Sequence, residues 1–241
     1  MLTNTYPNWA APSNISAFTT QRHGGFSEGL YASNNLGLHV GDDPNHVKAN
    51  RSALSATLPN EPEWLEQTHS TTCVTIENTT LRQADASITR TANRVLAIMT
   101  ADCLPILLCN KQGTEIAAIH AGWRGLVNGI IENTLTQMTS LPSDLCAWIG
   151  PSICSKCYEV GDEVYETYKA TYPFSTPFFK RYGQKWLSDI PGIAEEVLKK
   201  LAVSRVYQSH LCTFEQKNDF YSYRREAQTG RIVTLIWLTN N

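Results

Sequence analysis

Short apolar runs separated by polar turns recur along the chain, a pattern typical of strands. These runs predict strands near 73–76, 95–100, 104–109, 115–120, 145–149, 204–208 and 232–238. The runs "VLAIM" and "IVTLIWL" are apolar at nearly every position, so we expect both faces of those strands to be covered. Helices should therefore flank the sheets.

Other segments carry the caps or the spacing of helices. Asp43 followed by Pro44 marks a helix start, and this helix should run to about Thr57. Apolar residues recur at three- and four-residue intervals over 126–138, 159–172 and 189–201, the last capped by Asp189. The mixture predicts an α+β class with mixed, largely antiparallel sheets. No linker or repeat interrupts the chain, so one domain over 1–241 is expected.

The segment 100–125 places reactive side chains at the mouth of an apolar hairpin. Cys103 precedes one predicted strand and His120 ends the next. Neighbouring positions on paired strands lie roughly 5–8 Å apart between Cβ atoms, so the thiol and the imidazole can meet. One zinc ion could join them, because zinc binds Cys sulfur and His nitrogen. Alternatively, Cys103 is a nucleophile and His120 its base, oriented by Asp102 or a carbonyl.

The register of this hairpin follows from the turn that is assumed. A turn flanked by Asn110 and Thr114 predicts that Cys109 faces Glu115. Leu104 would then lie opposite His120, with Cys103 beside it. A slip of one residue would turn every side chain of a strand to the other face.

Two further side chains are candidates for the same centre. His69 would complete a His, Cys and His set with an open fourth position, the pattern of catalytic zinc. An isolated histidine is more often an ordinary surface or core residue, so that alternative stays open. Asp102 could orient one imidazole without binding the metal. A fourth ligand such as Cys73 or His210 would instead indicate a structural metal module.

The residues that follow His120 favour an anion pocket. Gly122 and Gly125 allow tight turning, and the helix expected from 126 presents unpaired N–H groups at its start. Arg124 lies beside that start. An anion could therefore bind next to the Cys–His centre.

Composition limits the partners. The chain has 241 residues, of which 42% are hydrophobic, and a formal net charge of −2, which are ordinary values for a globular protein. It lacks a dense Lys/Arg block, which argues against a nucleic-acid partner. It also lacks an apolar stretch near the ~18 residues of a membrane helix and a secretory start. We expect a cytoplasmic protein without a membrane partner, and a monomer.

The seven cysteines should be reduced in a chain without a secretion signal. Cys109 and Cys146 lie in strand-like runs, where cysteine is usually buried and inert. The pair in "CSKC", Cys154 and Cys157, has no partner pair in the sequence, which favours a structural or incidental role. The sequence leaves the role of Cys212 open.

Eight blocks, in order along nearly the whole chain, resemble one family: "TTQRHGG.S", "NLGLHVGDD", "WLEQTH", "ADAS", "MTADCLPILLCN", "AAIHAGWRGL", "WIGPSI...YEVGDEV" and "FYSYRR...GR". This is the YfiH family, labelled multicopper polyphenol oxidase in places and also called peptidoglycan editing factor or purine nucleoside phosphorylase, with the human macrophage relative FAMIN. One block departs from the family pattern, Gln-Val-His-Gly, because the chain has "QTHS", with Thr68 and Ser70. The candidate ligand His69 is kept.

The resemblance implies a fold and a site. The fold would be a helix-flanked, two-sheet α/β/β/α arrangement. The site would be a zinc centre formed by His69, Cys103 and His120. The substrate pocket would be lined by Arg22, Gln67, Asp102, Arg124 and the "YSYRR" segment, which contains Tyr223 and Arg224.

The resemblance also implies activities. The leading one is phosphorolysis of adenosine, inosine and methylthioadenosine, together with adenosine deamination. Phosphate would bind beside Arg124, with Arg22 or Arg224. The base could stack on Tyr221, Tyr223 or Trp123, although aromatic residues more often serve packing. The main alternative is an amidase that edits UDP-linked muramoyl-L-serine precursors of peptidoglycan, a hydrolysis that suits an open zinc site.

Two other chemistries fit the sequence less well. A multicopper oxidase needs many histidines, mostly as His-x-His pairs, whereas the chain has six histidines and no such pair. A His, Cys and His centre could still hold Cu²⁺ adventitiously. The cytidine-deaminase signature is absent, because "CSKC" follows Ile153 instead of proline and no glutamate stands two residues after His69.

Overall fold

The computed structural model describes residues 3–240. The α-helices are α1 (Pro44–Ser55), α2 (Trp123–Val127), α3 (Ile130–Gln137), α4 (Asp162–Thr171) and α5 (Ile190–Lys200). The strands are β1 (Asn4–Thr5), β2 (Ile15–Thr20), β3 (Pro62–Glu63), β4 (Cys73–Thr75), β5 (Ala86–Thr89), β6 (Val95–Thr100), β7 (Leu104–Asn110), β8 (Ile116–Ala121), β9 (Leu145–Ile149), β10 (Glu159–Val160), β11 (Phe179–Tyr182), β12 (Lys185–Ser188), β13 (Arg205–Gln208) and β14 (Ile232–Leu238).

Two large sheets pack face to face. One has the strand order β1-β2-β14-β6-β3 and the other the order β13-β9-β7-β8-β5-β4. Leu96 and Ile236 of the first sheet share a buried cluster with Leu107 and Trp148 of the second. Most strand pairs are antiparallel, while β13/β9, β3/β6 and β4/β5 are parallel. The sheets are therefore mixed and largely antiparallel, as predicted.

Helices cover the outer faces of both sheets. Ile106 of β7 shares a second buried cluster with Ile130 of α3 and Ile193 of α5. On the opposite side, Leu54 of α1 packs with Val95 of the five-stranded sheet. The fold is thus α+β, with helix, sheet, sheet and helix in succession. A small third sheet, in the order β10-β12-β11, lies beside α4. Among the described residues, none of the helices has the length and apolar character needed to span a bilayer.

The predicted helices are present with shifted bounds. Asp43 caps α1 by accepting from Asn45 N–H at 2.8 Å, and Asp189 caps α5. The helix predicted over 126–138 is two helices, because Gly129 adopts φ +92° between them, a conformation that glycine tolerates. The segment 159–172 begins with a strand pairing, and α4 starts only at Asp162.

The predicted hairpin register is wrong by one residue. Cys109 pairs with Ile116, not with Glu115. The reason is a longer turn, in which Asn110 N–H donates to the carbonyl of Glu115 at 3.1 Å. The Asn110 side chain also accepts from Thr114 N–H at 2.8 Å and closes the turn.

The corrected register changes the position of the site histidine. His120 lies opposite Pro105, not Leu104, on the neighbouring strand. Cys103 stands just ahead of β7 in a loop where Asp102 has φ +90°. This loop conformation places the thiol near the imidazole.

Glu115 closes the far end of the same hairpin with a buried carboxylate. It accepts from Thr139 N–H at 2.9 Å and Ser140 N–H at 2.8 Å, and it forms an ion pair with Arg90. Burial alone would raise the pKa of Glu115, but these bonds and the Arg90 charge outweigh burial and lower the pKa.

Glu115→Gln should therefore reduce the free energy of unfolding near pH 7 by about 1–3 kcal/mol. Because the folded-state pKa is lowered, the carboxylate stabilises the fold above its unfolded pKa and loses this effect as pH falls through the folded value. Urea unfolding at pH 7 and below pH 4 should show the difference from wild type shrinking in acid. Glu166→Gln, at an exposed ion pair with Lys169, is the control with almost no expected effect. An unchanged difference in acid would contradict this assignment.

Candidate functional site

Three side chains from separate segments meet at one point. His69 precedes β4, Cys103 precedes β7 and His120 lies in β8. One potential ligand atom from each lies within 4.8 Å of the others. The Cys103 Sγ to His69 Nε2 distance is 3.8 Å, and the two imidazole rings meet edge to face with centroids 4.8 Å apart. The structure therefore brings together the candidate ligands proposed from the sequence.

Asp85, immediately before β5, holds two of these residues in place. Its buried carboxylate lies 2.7 Å from His120 Nδ1. It also accepts from His69 N–H at 3.0 Å and from Ser70 N–H at 2.6 Å. The contact with Nδ1 leaves Nε2 of His120 to face the other ligands. The orienting carboxylate is thus Asp85, which the sequence analysis did not single out, and not Asp102.

Contacts within this cluster shift the pKa values of Asp85, His120 and Cys103 towards their charged forms. Burial would raise the pKa of Asp85, but bonds from His120 and Ser70 lower it to about 2. Burial would lower the pKa of His120, yet Asp85 and Cys103 raise it to about 9. Burial would raise the pKa of Cys103, but His120 and His69 lower it to about 6. The sulfur is thus poised as a thiolate, the form that binds metals and acts as a nucleophile.

Asp102 has a different role from the one expected. Its buried carboxylate accepts from Thr213 Oγ1 at 2.6 Å, Ser222 Oγ at 3.0 Å and Arg224 N–H at 2.7 Å. These bonds occupy both carboxylate oxygens. Asp102 therefore fixes the segment around Arg224 against the loop that carries Cys103.

Gly122 is required for the close approach of the ligands. A Cβ atom at this position would lie 2.7 Å from Cδ2 of His69 and 3.2 Å from Sγ of Cys103. The first contact is shorter than packed atoms allow, and the second would require the sulfur to shift. The glycine therefore leaves the space in which the thiol and imidazole converge.

The three residues lie in a cavity of about 490 Å³. Six further residues proposed from the sequence line it: Gln67, Asp102, Trp123, Arg124, Tyr223 and Arg224. Sequence analysis did not single out several other lining residues: His39, Tyr158, Ile190 and Arg231. These come from segments distant in sequence, so no local pattern identifies them.

Arg22 does not line this cavity. It donates to the carbonyls of Ala32 and Lys217, each at 3.0 Å, and lies over the ring of Tyr221. Tyr221 is buried and donates to the Tyr31 carbonyl at 2.6 Å. Neither residue lines the cavity, so its lining does not support the expectation that Arg22 binds phosphate or Tyr221 a base, and that expectation stays a prediction.

Gln67 lines the cavity but uses its amide within the fold. Its Nε2 donates to the carbonyl of Met99, and its Oε1 accepts from the N–H of Met99, both at 2.8 Å. This pair of bonds attaches the loop before His69 to β6. Gln67 thus positions a candidate ligand rather than offering a free polar group.

Three arginines add positive charge to the cavity that holds the candidate metal ligands. Arg124 is exposed beside Gly122, and its guanidinium lies over the ring of Trp123 at 4.3 Å. Arg224 and Arg231 face the same space. Arg124 is the second residue of α2, which starts at Trp123, not at 126, and spans only five residues.

Neither residue considered as a fourth metal ligand belongs to this group. Within residues 3–240, the group of His69, Cys103 and His120 includes neither Cys73 nor His210. A separate group contains Cys154, Cys157, Cys212 and Glu215. The structure therefore offers two candidate metal-binding groups with different ligand sets.

Comparison with known proteins places the chain in a family. Residues 16–239 match the family model described as multi-copper polyphenol oxidoreductase laccase. The chain is 42% identical over 236 residues to a Shigella flexneri protein named purine nucleoside phosphorylase YfiH, covering 96% of this chain and 97% of that protein. A Haemophilus influenzae purine nucleoside phosphorylase is 43% identical over 239 residues, with the same coverage.

Solved structures agree with this result. A Neisseria meningitidis protein superposes with a TM-score of 0.93 at 39% identity and 99% coverage of both chains. YlmD from Geobacillus stearothermophilus superposes with a TM-score of 0.87 at 30% identity, covering 95% of this chain and 93% of its own. The chain therefore belongs to the multi-copper polyphenol oxidoreductase laccase family, which includes YfiH.

Proposed function

We propose that the protein is a zinc-dependent purine nucleoside phosphorylase. The observation that carries the proposal is the convergence of His69, Cys103 and His120 in a cavity that also contains three arginines. Relatives named purine nucleoside phosphorylase match nearly the whole chain. Inosine, adenosine and methylthioadenosine are the proposed substrates, with adenosine deamination as a further activity.

The donor set fits zinc. Two imidazole nitrogens and one thiolate, with no fourth protein ligand in the group, match catalytic zinc sites. The space left by Gly122 and the Nδ1 contact between His120 and Asp85 both favour such a site. Copper binds N/S sites more tightly than zinc and could occupy the same ligands, but six histidines do not supply a multicopper centre. When bound, zinc would polarise a substrate oxygen or activate water.

The arginines of the cavity suit phosphate, the second substrate of phosphorolysis. In phosphorolysis, a phosphate oxygen bonds to the anomeric carbon of the ribose while the bond from that carbon to the purine nitrogen breaks. Arg124 is exposed and stacked on Trp123, so its planar set of N–H donors is available to an anion. Asp102 fixes the backbone of Arg224. The guanidinium groups of Arg124 and Arg224 would hold phosphate in position to attack the anomeric carbon.

Aromatic rings beside the arginines suit the base. Trp123, Tyr158 and Tyr223 line the cavity, and Tyr223 is 56% exposed. Such rings provide flat apolar faces for a purine.

One observation favours a second candidate, a metal-free Cys–His hydrolase. The pKa of Cys103 near 6 gives a thiolate at neutral pH without any metal. In that mechanism Cys103 would attack a substrate carbonyl, and His120 would accept the thiol proton and donate it to the leaving group. An amide in a muramoyl-serine precursor is a substrate that either this mechanism or an open zinc site could hydrolyse.

Zinc-loaded protein given inosine and phosphate should release hypoxanthine and ribose 1-phosphate. Removing zinc with a chelator should abolish turnover, and added zinc should restore it. Cys103→Ser should reduce kcat/KM by more than about 100-fold, because loss of a ligand exceeds the ~10–100-fold cost of losing an outer partner. His23→Gln, outside this cavity, should retain activity.

The same assay with a UDP-linked muramoyl-L-serine substrate separates the candidates. Turnover of inosine that survives complete zinc removal would contradict the zinc proposal. Cleavage of the muramoyl substrate without phosphorolysis of inosine would contradict the nucleoside proposal.

Asp85→Asn should weaken zinc binding about 10–100-fold, because His120 and the His69 loop lose the carboxylate that orients them. Competition with a chromophoric chelator measures this affinity. Asp144→Asn removes a surface ion pair with Lys111 and should bind zinc like wild type. Equal affinities for the two variants would show that Asp85 does not support the ligands.

Arg124→Ala should raise KM for phosphate and lower kcat/KM about 10–100-fold, the cost of losing one or two charge-assisted hydrogen bonds. Steady-state kinetics at varied phosphate and saturating inosine test this. Arg181→Ala, at an exposed ion pair with Asp162, is the matched control. An unchanged KM for phosphate in the Arg124 variant would rule out its proposed role.

A further inference from the structure

A second cluster of metal-binding side chains lies apart from the proposed catalytic group. Cys154 and Cys157 lie in the segment after β9, and Cys212 and Glu215 lie in the segment after β13. Their four potential ligand atoms lie within 4.8 Å of one another. Cys154 Sγ is 3.7 Å from Glu215 Oε2, and Cys154 N–H points to Cys212 Sγ at 3.4 Å. The cluster shares no residue with the His69 group.

The two segments present their ligands with the same spacing. "CSKC" and "CTFE" each place a ligand residue at the first and fourth positions. Each also forms a turn, because Cys157 N–H donates to the Cys154 carbonyl at 3.0 Å and Gln216 N–H to the Cys212 carbonyl at 2.9 Å. Two facing turns of this kind form many structural zinc sites. The sequence conceals the second turn because its last ligand residue is glutamate.

The surroundings suit a group of anionic ligands. Three thiolates and a carboxylate carry more negative charge than one divalent ion neutralises. Arg225 donates to the carbonyls of Thr213 and Phe214, both at 2.9 Å, within the second turn. Its positive charge therefore lies beside the cluster. The N–H of Cys154 also donates to the sulfur of Cys212 at 3.4 Å, which joins the two segments at the cluster.

We infer that Cys154, Cys157, Cys212 and Glu215 bind a second zinc ion, with a structural role. Three sulfur ligands select a soft or borderline metal over Mg²⁺ or Ca²⁺. Four protein ligands fill the tetrahedral coordination of zinc and leave no open position for a substrate. This distinguishes the second site from the three-residue group in the cavity.

The second zinc would crosslink two segments that line the cavity. The segment with Cys154 supplies Ile153 and Tyr158 to the cavity, and the segment after Cys212 supplies Tyr223 and Arg224. The two segments already meet through Ser152 and Cys212, which form an isolated strand bridge. The metal would thus stabilise the wall without contacting a substrate.

Metal content distinguishes the two sites. Wild-type protein purified with zinc should hold about two zinc ions per chain, and Cys103→Ser, which removes a ligand of the cavity site, should hold about one. Adding Cys157→Ser to Cys103→Ser should remove the remaining zinc. Mass spectrometry of metal content provides the count. Zinc-free protein in which Cys103→Ser is the only change would overturn the inference.

Cobalt provides a second readout. Cobalt-loaded Cys103→Ser should show the d–d bands of a tetrahedral site and an intense thiolate charge-transfer band, because three sulfurs bind the ion. Glu215→Gln keeps the thiols and should weaken cobalt and zinc binding, whereas the matched control Glu226→Gln, at an exposed residue of the same segment, should not. A weak charge-transfer band, or equal affinities for the two glutamate variants, would contradict the ligand set.

Stability and thiol chemistry complete the test. Chelation should lower the unfolding midpoint of Cys103→Ser, because zinc bound to the folded form stabilises it. The double variant should show no such shift. A Cys154–Cys157 or Cys154–Cys212 disulfide in freshly purified, metal-free protein, detected by thiol titration after denaturation, would replace the metal with a redox pair and overturn the inference.

Discussion

The structure of the site depends on one buried carboxylate. Asp85 accepts hydrogen bonds from the backbone of Thr68, His69 and Ser70, from the Ser70 hydroxyl, and contacts His120 Nδ1. A buried charge is costly unless it is paired and hydrogen-bonded, and this one is fully satisfied. A single side chain thereby joins a loop, the start of β5 and the end of β8. Asp85 therefore sets the position of the loop that supplies His69 relative to His120.

The layered fold explains why this arrangement can be rigid. The core between the sheets holds β7 and β8 on one side and β6 and β14 on the other, while helices cover the outer faces. Cys103 lies between β6 and β7, His69 lies in the loop before β4, and His120 lies near the end of β8, so loops and a strand end together supply the reactive groups. Two other polar side chains also hold segments of the cavity in place: Gln67 bonds to the backbone of β6, and Asp102 joins the loop that carries Cys103 to the segment around Arg224. A site of this kind combines precise ligand placement with an open side for substrate.

Local patterns in the sequence predicted the secondary-structure elements and the reactive residues better than they predicted strand register and the contacts between distant segments. Strands β6, β9 and β14 and helices α1 and α5 follow from apolar runs and caps that act locally. The hairpin register was wrong because the side chain of Asn110 lengthens the turn by one residue. Short strands such as β11 and β12 have little apolar pattern to reveal them, since three of the four β11 residues are exposed and β12 has no run of buried residues.

Relations between distant segments were the least predictable feature. Asp85 was missed because a carboxylate before a strand carries no local sign that it is buried against a histidine. Arg22 was expected in the pocket because its block resembles a family motif, whereas its guanidinium donates to backbone carbonyls away from the cavity lining. The partner of "CSKC" was concealed for the same reason, since "CTFE" lies 55 residues after Cys157 and ends in a carboxylate.

The most direct measurement for the central claim is a crystal structure with anomalous diffraction collected on both sides of the zinc absorption edge. The account predicts a zinc peak about 2.0–2.1 Å from nitrogens of His69 and His120 and about 2.3 Å from Cys103 Sγ, with no fourth protein ligand. Zinc-soaked crystals with no peak among these three residues, or a peak there closed by another protein atom, would contradict it.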